Sequence, residues 1–415
     1  RAEGIYLYGP DGKRYIDGLS ALWNVAVGHG RRELAAAAAE QLSKGAFTSN
    51  YVGFSNEPAI ELAAKVVELA PHNMQSAYFT NSGSESNETN FKAARFYWAM
   101  KGRPEKNKII SRVEAYHGNT LAAMSATGMA VYYPNFGPRV AEIIPAASVE
   151  PKLSGGGRID PGNVDISNIV ETIEQEGAET VAAVIAEPVQ GAGGIHPPPP
   201  DYIRQLREVC DRYDLLFIVD EVITGFGRTG KWFAMEHFNV LPDMISLAKA
   251  ITSAYIPMGA ALWSREVWET ITGTDASVKF MHAYTNSGHN GAAAVGLRNL
   301  QIFEDEKLVQ NAAERGAQLR AGLDRLAEHP HVGNVRGLGF MCAFDLLQDP
   351  DNDVPFDASA KMGPRLLGAC RERGLISRIR VDSYLLAPPL VTTKAQVDDI
   401  LTILEESVRE VTAGV

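Results

Sequence analysis

The chain has 415 residues, of which 45% are hydrophobic and 21% charged, a composition typical of soluble globular proteins. Its formal net charge of −11 argues against a nucleic-acid or anionic-membrane partner, and no apolar run approaches the length of a membrane span. A chain of this length is expected to form two domains, because one hydrophobic core rarely grows so large.

The first part of the chain predicts short strands followed by helices. Residues 1–18 indicate turns and short strands rather than a signal peptide. The expected elements in chain order are a hairpin at 6–18 around Pro10-Asp11-Gly12, helices at 31–45 and 58–71, a strand, turn and long helix within 76–100, and a strand and loop at 108–118.

The rest of the chain alternates apolar runs with helices. Apolar runs at 181–191 and 215–225, with a helix at 201–214 between them, predict a βαβ unit. Helices dominate from about residue 296, strands return within 333–347 and 378–390, and a helix closes the chain. This alternation predicts an α/β fold with a mostly parallel central sheet flanked by helices. We expect a large domain at 46–295 and a smaller α/β domain formed by 1–45 and 296–415.

Polar segments follow four of the expected strands. They are Asn81–Ser86, Tyr116–Asn119, Glu187–Gly191 and Asp220–Gly225. In open α/β sheets ligands bind beyond the carboxyl ends of the strands, so these segments predict one shared crevice.

Lys249 is the most informative candidate in this chain. It lies among small and apolar residues, and desolvation disfavours the charged form of an amine. A neutral lysine can form a Schiff base with a carbonyl group, and Asp220, at the end of an apolar run, could pair with a cationic ring nitrogen. The alternative is a lysine that extends to solvent and an ordinary strand-end carboxylate.

Two further segments are typical of cofactor contacts. Ser82, Gly83 and Ser84 follow a strand and open a helix, where backbone N–H groups favour a phosphate, although an ordinary serine cap has the same pattern. Tyr116 and His117 precede Gly118, so an aromatic ring could stack on a flat cofactor, or could simply belong to the core.

A glycine-rich segment at 225–232 matches two nucleotide-binding patterns. The phosphate-loop match fails because Trp232 replaces the Ser or Thr that would bind Mg²⁺, and the dinucleotide match lies far from a first βα turn. A nucleotide-binding α/β protein such as a dehydrogenase remains the alternative from a different class.

The other residues with metal or redox potential carry no clear signal. His282 and His289 belong to a small polar cluster in an otherwise helical region, but their spacing is poor for a metal and no carboxylate is near. Thr285, in the same cluster, could donate to a phosphate. The three cysteines, Cys210, Cys342 and Cys370, lack zinc or disulfide spacing, which predicts core positions and a reducing cytoplasm.

Taken in order, these motifs resemble those of the class III aminotransferases, which are fold-type I enzymes that use pyridoxal 5'-phosphate. The similarity covers essentially the whole chain and is strongest to the pyruvate-dependent ω-transaminases. The matching segments are NSGSESNETNFKAAR, AYHGNT, AEPVQGAGG, VDEVITGFGRTG, ISLAKAITSAYIPMGA, HAYTNSGH and APPL.

The resemblance implies roles for the matching positions. Lys249 would form the Schiff base and later transfer the proton, and Asp220 would pair with the pyridinium nitrogen. Val222 and Tyr116 would pack on opposite faces of the ring, with His117 also at the cofactor and Glu187 near it. Ser82, Gly83 and Ser84 would hold the phosphate, with Thr285 of a partner subunit.

The resemblance also implies the substrates and the assembly. An amine or ω-amino acid would pass its amino group to pyruvate by a ping-pong mechanism through pyridoxamine 5'-phosphate, in a homodimer or tetramer with shared active sites. Arg378, rather than Arg380, would bind the keto-acid carboxylate, and Trp23 and Tyr51 would line the amine pocket. Decarboxylating transamination and aminomutase chemistry remain the alternatives on this scaffold.

Two departures from the family pattern bear on these expectations. Ile223 stands where several γ-aminobutyrate and ornithine enzymes have Gln, which favours the pyruvate-dependent branch. Asn290-Gly291 replaces the usual Pro-Val, and we expect it to loosen the segment that carries Thr285.

Overall fold

A computed structural model describes residues 1–51, 53–146, 153–154, 158–159, 166–273 and 278–415. Its strands are β1 (Ala2–Glu3), β2 (Tyr6–Tyr8), β3 (Arg14–Asp17), β4 (Met74–Thr80), β5 (Lys108–Ser111), β6 (Ile143–Pro145), β7 (Leu153–Ser154), β8 (Arg158–Ile159), β9 (Val181–Ala186), β10 (Leu216–Asp220), β11 (Met244–Leu247), β12 (Gly259–Ser264), β13 (Val332–Leu338), β14 (Met341–Asp349), β15 (Val354–Pro355), β16 (Leu375–Ile376), β17 (Arg378–Arg380) and β18 (Ser383–Leu386).

Helices flank these strands in sequence. They are α1 (Ser20–Trp23), α2 (Arg32–Lys44), α3 (Glu57–Leu69), α4 (Gly83–Met100), α5 (Leu121–Ala126), α6 (Ser167–Glu176), α7 (Tyr202–Arg212), α8 (Arg265–Thr272), α9 (Asn290–Asp305), α10 (Leu308–Leu326), α11 (Met362–Glu372) and α12 (Lys394–Thr412). Single 3₁₀ turns lie at Ala130–Tyr132, Ala178–Thr180, Ala234–His237, Lys249–Ile251 and Ala358–Ala360. The α1 segment is irregular, with positive φ at Ser20, Ala21 and Trp23.

The central sheet has seven strands in the order β4-β12-β11-β10-β9-β5-β6. All neighbouring pairs are parallel except those that β12 makes with β11 and β4. The prediction of a mostly parallel sheet is therefore confirmed. Every residue of β9 and β10 is buried, as expected for parallel strands covered on both faces, and α7 connects them as the predicted βαβ unit.

The two ends of the chain meet in a second group of strands. β3 pairs in parallel with β16, so residues near the N-terminus share a sheet with residues near the C-terminus. A further sheet has the order β13-β14-β18-β17, with β15 pairing to β14. This arrangement agrees with a smaller α/β unit built from both termini. The boundary at 295/296 stays a prediction, and α9 runs across it.

Most predicted element boundaries follow from local signals. The hairpin forms from β2 and β3, α2 ends before Gly45, and Asn56 caps α3 by accepting a hydrogen bond from the backbone N–H of Ala59. One expectation was wrong: the polar cluster around His282 lies in turns between α8 and α9, not inside helical structure. The three cysteines are free and buried, as predicted.

Candidate active site

The predicted crevice is confirmed as a pocket at the carboxyl ends of the central strands. Segments that follow β4, β5, β9, β10 and β11 all contribute to its wall. The lining residues are Ser82, Gly83, Ser84, Tyr116, His117, Gly118, Glu187, Asp220, Val222, Ile223, Ala248 and Lys249. All but four of the predicted cofactor and substrate residues are among them. The exceptions are Trp23, Tyr51, Thr285 and Arg378, which are described below.

Lys249 follows β11 directly and begins a 3₁₀ turn. Its φ of 48° lies in the left-handed region, which a residue with a side chain adopts only where its surroundings hold it. Burial lowers the pKa of its amine, while the nearby carboxylates of Asp220 and Glu187 oppose that shift. The pocket therefore favours an uncharged, nucleophilic amine more than water does.

Asp220 ends β10 and is held by three donors. Its Oδ2 accepts hydrogen bonds from Nδ2 of Asn87 and Nδ1 of His117, each at 2.8 Å, and its Oδ1 accepts from the backbone N–H of Val222 at 3.0 Å. These three donors fix the position of the carboxylate. The Asp220 carboxylate is therefore held in one position, as a fixed partner for a cationic group requires.

Asn87 is a site residue that sequence reasoning missed. It also donates to the backbone carbonyl of His117 at 2.7 Å, so it joins two of the strand-end loops. Asn87 lies four residues after Gly83 on α4, and residues four apart share one helix face. That spacing is the signal by which Asn87 could have been found.

The start of α4 forms a cradle suited to an anion. Ser82 caps the helix by accepting from the backbone N–H of Glu85 at 3.2 Å, and Oγ of Ser84 accepts from the backbone N–H of Asn119 at 3.1 Å. The remaining N–H groups of the first turn, with the positive end of the helix dipole, favour a phosphate.

Glycines keep this cradle open. A Cβ at Gly83 would lie 2.9 Å from the side chain of Val222, and a Cβ at Gly118 would lie 2.2 Å from Oγ of Ser84. Gly118 also has a φ of +130°, which residues with side chains rarely adopt. Both positions therefore require glycine for the loops to approach so closely.

Glu187 holds the loop that carries Tyr116. Its Oε1 accepts from the backbone N–H of Tyr116 and its Oε2 from that of Gly191, both at 2.9 Å. Burial raises the pKa of the Glu187 carboxyl. Glu187 therefore joins the loop after β5 to the loop after β9, and it also lines the pocket.

Arg378 and Trp23 lie together at the rim of the pocket. The Arg378 guanidinium carbon lies 5.5 Å from the centre of the Trp23 ring, and no carboxylate among the described residues forms an ion pair with it. Trp23 is buried in the same apolar cluster as the pocket residue Ile223. Arg380, two residues on, is instead paired with Glu114 at 2.6 Å.

Tyr51 and Thr285 do not reach the pocket of their own chain. Both are exposed and neither borders that pocket, so the roles expected for Tyr51 and Thr285 stay predictions. Their segments are tied together, because Nδ2 of Asn50 donates to the carbonyl of Ser287 at 2.9 Å. At the Asn290-Gly291 departure, Oδ1 of Asn290 accepts a hydrogen bond from the backbone N–H of Thr48 at 2.9 Å. The loosening expected there stays a prediction.

The histidines of the polar cluster have separate structural contacts. Lys92 donates to Nδ1 of His282 and Nε2 of His282 contacts Oγ1 of Thr89, each at 2.9 Å, which ties the segment to α4. Burial, with the charge of Lys92, lowers the pKa of His282 to about 4. His289 caps α9 through its Nδ1. These contacts anchor the segment that presents Thr285.

The glycine-rich segment at 225–230 packs against the strands near the C-terminus. The buried Arg228 donates to the carbonyls of Phe340 and Pro388, at 3.2 and 2.6 Å, and to Oγ of Ser20 at 2.9 Å. Burial lowers the pKa of Arg228 to about 10. The segment thereby positions the turn that carries Trp23, a long-range role that the nucleotide patterns did not indicate.

Comparison with known proteins identifies relatives along the whole chain. Residues 1–408 match the model of a family described as aminotransferase class-III. A diaminobutyrate–2-oxoglutarate transaminase of Halomonas elongata is 40% identical over 99% of this chain and 89% of its own. A putrescine–pyruvate aminotransferase of Pseudomonas aeruginosa is 37% identical over 100% of this chain and 91% of its own. The structure of an (S)-enantioselective omega-transaminase from Thermomicrobium roseum is 44% identical, with a TM-score of 0.92 over 99% of this chain and 92% of that chain.

Proposed function

Because this chain belongs to the class III aminotransferases, we propose that it transfers the amino group of an amine or ω-amino acid to pyruvate. Its fold is that of the fold-type I transaminases, its activity is transamination and its cofactor is pyridoxal 5'-phosphate. The observation that carries the site assignment is that Lys249, Asp220 and the start of α4 border one pocket.

The residues of this pocket fit the cofactor. The N–H groups that begin α4 suit its phosphate, and the side chain of Val222 beside Gly83 offers an apolar surface to one face of a flat ring. Tyr116 offers an aromatic ring for the other face. Asp220 is fixed for a cationic ring nitrogen, and Lys249 supplies the amine that attaches the cofactor.

The bound cofactor supplies an electron sink for negative charge at the substrate carbon. Lys249 then accepts and returns the proton at that carbon, for which a lysine of lowered pKa is suited. Three donors hold the Asp220 carboxylate in place, and a carboxylate beside the ring nitrogen favours the protonated form of that nitrogen. Glu187 holds the Tyr116 loop in position, and the buried His117 fixes Asp220 through its Nδ1.

Arg378 binds the carboxylate of the keto acid. Its guanidinium is not committed to a carboxylate of the described chain, and a planar guanidinium suits a bidentate contact. Trp23, beside it, limits the room for the amine substituent. One relative is named for 2-oxoglutarate and another for pyruvate, so the keto acid is a property that differs among relatives.

The active sites are shared between two subunits of a homodimer, which can associate further into a tetramer. Tyr51 and Thr285 support this proposal because both are exposed on hydrogen-bonded segments away from their own pocket. Thr285 donates to the phosphate, and Tyr51 lines the amine pocket, of the partner subunit. The buried free thiols are consistent with an enzyme of the cytoplasm.

A panel of amines and ω-amino acids, each assayed with pyruvate and with 2-oxoglutarate, tests this function. We expect turnover with pyruvate and at least about tenfold lower kcat/KM with 2-oxoglutarate, the size of one lost charge-assisted contact. Release of CO₂, or an isomerised product without consumption of the keto acid, would instead establish one of the alternative activities. A preference for 2-oxoglutarate would contradict the proposed acceptor.

A further inference from the structure

Arg380 is a second arginine beside the proposed carboxylate-binding residue. Arg378 and Arg380 lie two positions apart on β17, so their side chains leave the same face of the strand, while Ile379 packs into the core. Both side chains are partly buried, and only Arg380 has an acidic partner among the described residues. The two guanidinium groups therefore differ in whether their charge is already compensated.

The two arginines act on the same loop, one at Glu114 and the other at Tyr116. Arg380 donates to Oε2 of Glu114 at 2.6 Å. Tyr116 lies two residues further along the same loop. Burial raises the pKa of its hydroxyl, and the charge of Arg378 opposes that rise. Glu114 thus joins Arg380 to the loop that carries the pocket residue Tyr116.

The loop holds Glu114 in a demanding conformation. Its φ is 57°, in the left-handed region, and its carbonyl would lie only 2.5 Å from a Cβ at Gly193. Its N–H donates to the carbonyl of Gly128 at 3.2 Å. A non-glycine residue in this region costs free energy, and such strain persists where the surrounding structure fixes the backbone. The loop therefore presents the Glu114 carboxylate toward β17.

We propose that Glu114 determines the choice of keto acid by occupying Arg380. This inference rests on the proposed role of Arg378 as the carboxylate-binding residue. With Arg380 paired, one guanidinium remains for the substrate, and a monocarboxylate such as pyruvate matches it. A dicarboxylate must leave its second carboxylate beside Glu114, where like charges repel.

The spacing of the strand supports this assignment. Residues two apart on one strand face are separated by about 6.5–7 Å, which is comparable to the span between the two carboxylates of a five-carbon dicarboxylate. Removing the Glu114 charge would leave two guanidinium groups at that spacing. Glu114→Gln should therefore leave both Arg378 and Arg380 able to bind a substrate carboxylate, where the wild type offers only Arg378.

The test compares kcat/KM for pyruvate and for 2-oxoglutarate, with one amine donor, in the wild type and in Glu114→Gln. We expect the 2-oxoglutarate to pyruvate ratio to rise at least about tenfold, because a freed charged hydrogen bond is worth that much. The double variant Glu114→Gln/Arg380→Gln should return the ratio to the wild-type value. A ratio that stays unchanged in Glu114→Gln, or stays raised in the double variant, overturns the inference.

A matched control comes from a second half-buried ion pair. Lys108 and Glu176 lie 2.8 Å apart with side chains 24% and 30% exposed, close to the 32% and 28% of Arg380 and Glu114. They lie at the opposite end of β5 from the pocket, so Glu176→Gln should leave the ratio unchanged. A rise of the same size in this control would also overturn the inference.

Two further measurements keep the outcomes separate. If Glu114→Gln does not fold, Arg380→Gln alone decides. We expect its pyruvate kinetics to stay within about twofold of wild type, because the Arg380 charge is already paired with Glu114 and does not bind the monocarboxylate. A large loss of pyruvate use in Arg380→Gln would mean that Arg380 itself binds the substrate. Failure of the wild type to use pyruvate with any amine would defeat the proposed function instead, before any variant is compared.

Discussion

The two ends of the active-site crevice are built in different ways. At the cofactor end, polar side chains follow five strands of the central sheet, and the Asp220 carboxylate accepts three hydrogen bonds. At the substrate rim, Arg378 and Trp23 come from opposite ends of the chain and meet through a single ring contact. The central sheet therefore fixes the positions of the residues that act on the cofactor. Substitutions at the rim can change which substrate binds without altering the sheet.

This difference predicts two kinds of mutational effect. Substitutions at the cofactor end should reduce every reaction of the enzyme, because all substrates share that chemistry. Substitutions at the rim should act on one substrate class and spare another. The following variants test that division.

Lys249→Ala should lower turnover with all substrates by at least about 10⁴-fold, because Lys249 supplies the only amine among the described residues that line the pocket. Single-turnover rates with an amine and with pyruvate measure this loss. Lys231→Ala, which removes an exposed lysine of the glycine-rich segment, is the control and should behave as wild type. A Lys249→Ala protein that keeps substantial turnover would contradict the assignment.

Asp220→Asn should lower turnover by about a hundredfold or more, the usual effect of removing one fixed electrostatic contact. It should also lower the pKa of the Lys249 amine further, because the Asp220 charge raises that pKa against the effect of burial. In the apoenzyme the amine is reactive when uncharged, so its capture of pyridoxal phosphate should persist to lower pH in the variant. A shift of that pH profile to higher pH would be the wrong sign.

Arg378→Ala should raise KM for pyruvate roughly 10- to 100-fold through loss of a charged hydrogen-bonding partner. For the half-reaction with an amine that lacks a carboxylate, kcat/KM should change by no more than about twofold, because such an amine does not contact Arg378. Arg265→Ala, an exposed arginine on α8, serves as the control. Equal losses in both half-reactions would make Arg378 a structural residue.

Thr285→Ala should weaken binding of pyridoxal phosphate by about two- to tenfold, the value of one hydrogen bond. Equilibrium dialysis of the dimer measures this change, with Asn286→Ala, at the neighbouring exposed position, as control. If Thr285 serves the partner's site, mixed dimers that combine Lys249→Ala and Thr285→Ala subunits should contain one kind of site with both defects and one with neither. Unchanged affinity in Thr285→Ala would remove Thr285 from the site.

The sequence was most informative where contacts follow from the sheet itself. Asp220 and Glu187 end apolar runs, and parallel strands necessarily bring their carboxyl ends to one edge. Lys249 was predictable for the same reason, since it lies among apolar residues directly after a strand.

Contacts between distant segments were not predictable from local patterns. Arg228 reaches Ser20, and Arg380 reaches Glu114, through packing that depends on where whole elements sit. Tyr51 illustrates a further limit, because its proposed role requires a second subunit that a single chain does not contain. The rim was therefore predicted less completely than the cofactor end.

Borohydride reduction of the purified enzyme tests the central claim most directly. We expect the visible absorption band of the cofactor to disappear, and mass spectrometry to find a pyridoxyl group on the peptide that contains Lys249. A pyridoxyl group on another lysine, or cofactor trapped covalently in Lys249→Ala, would contradict the account.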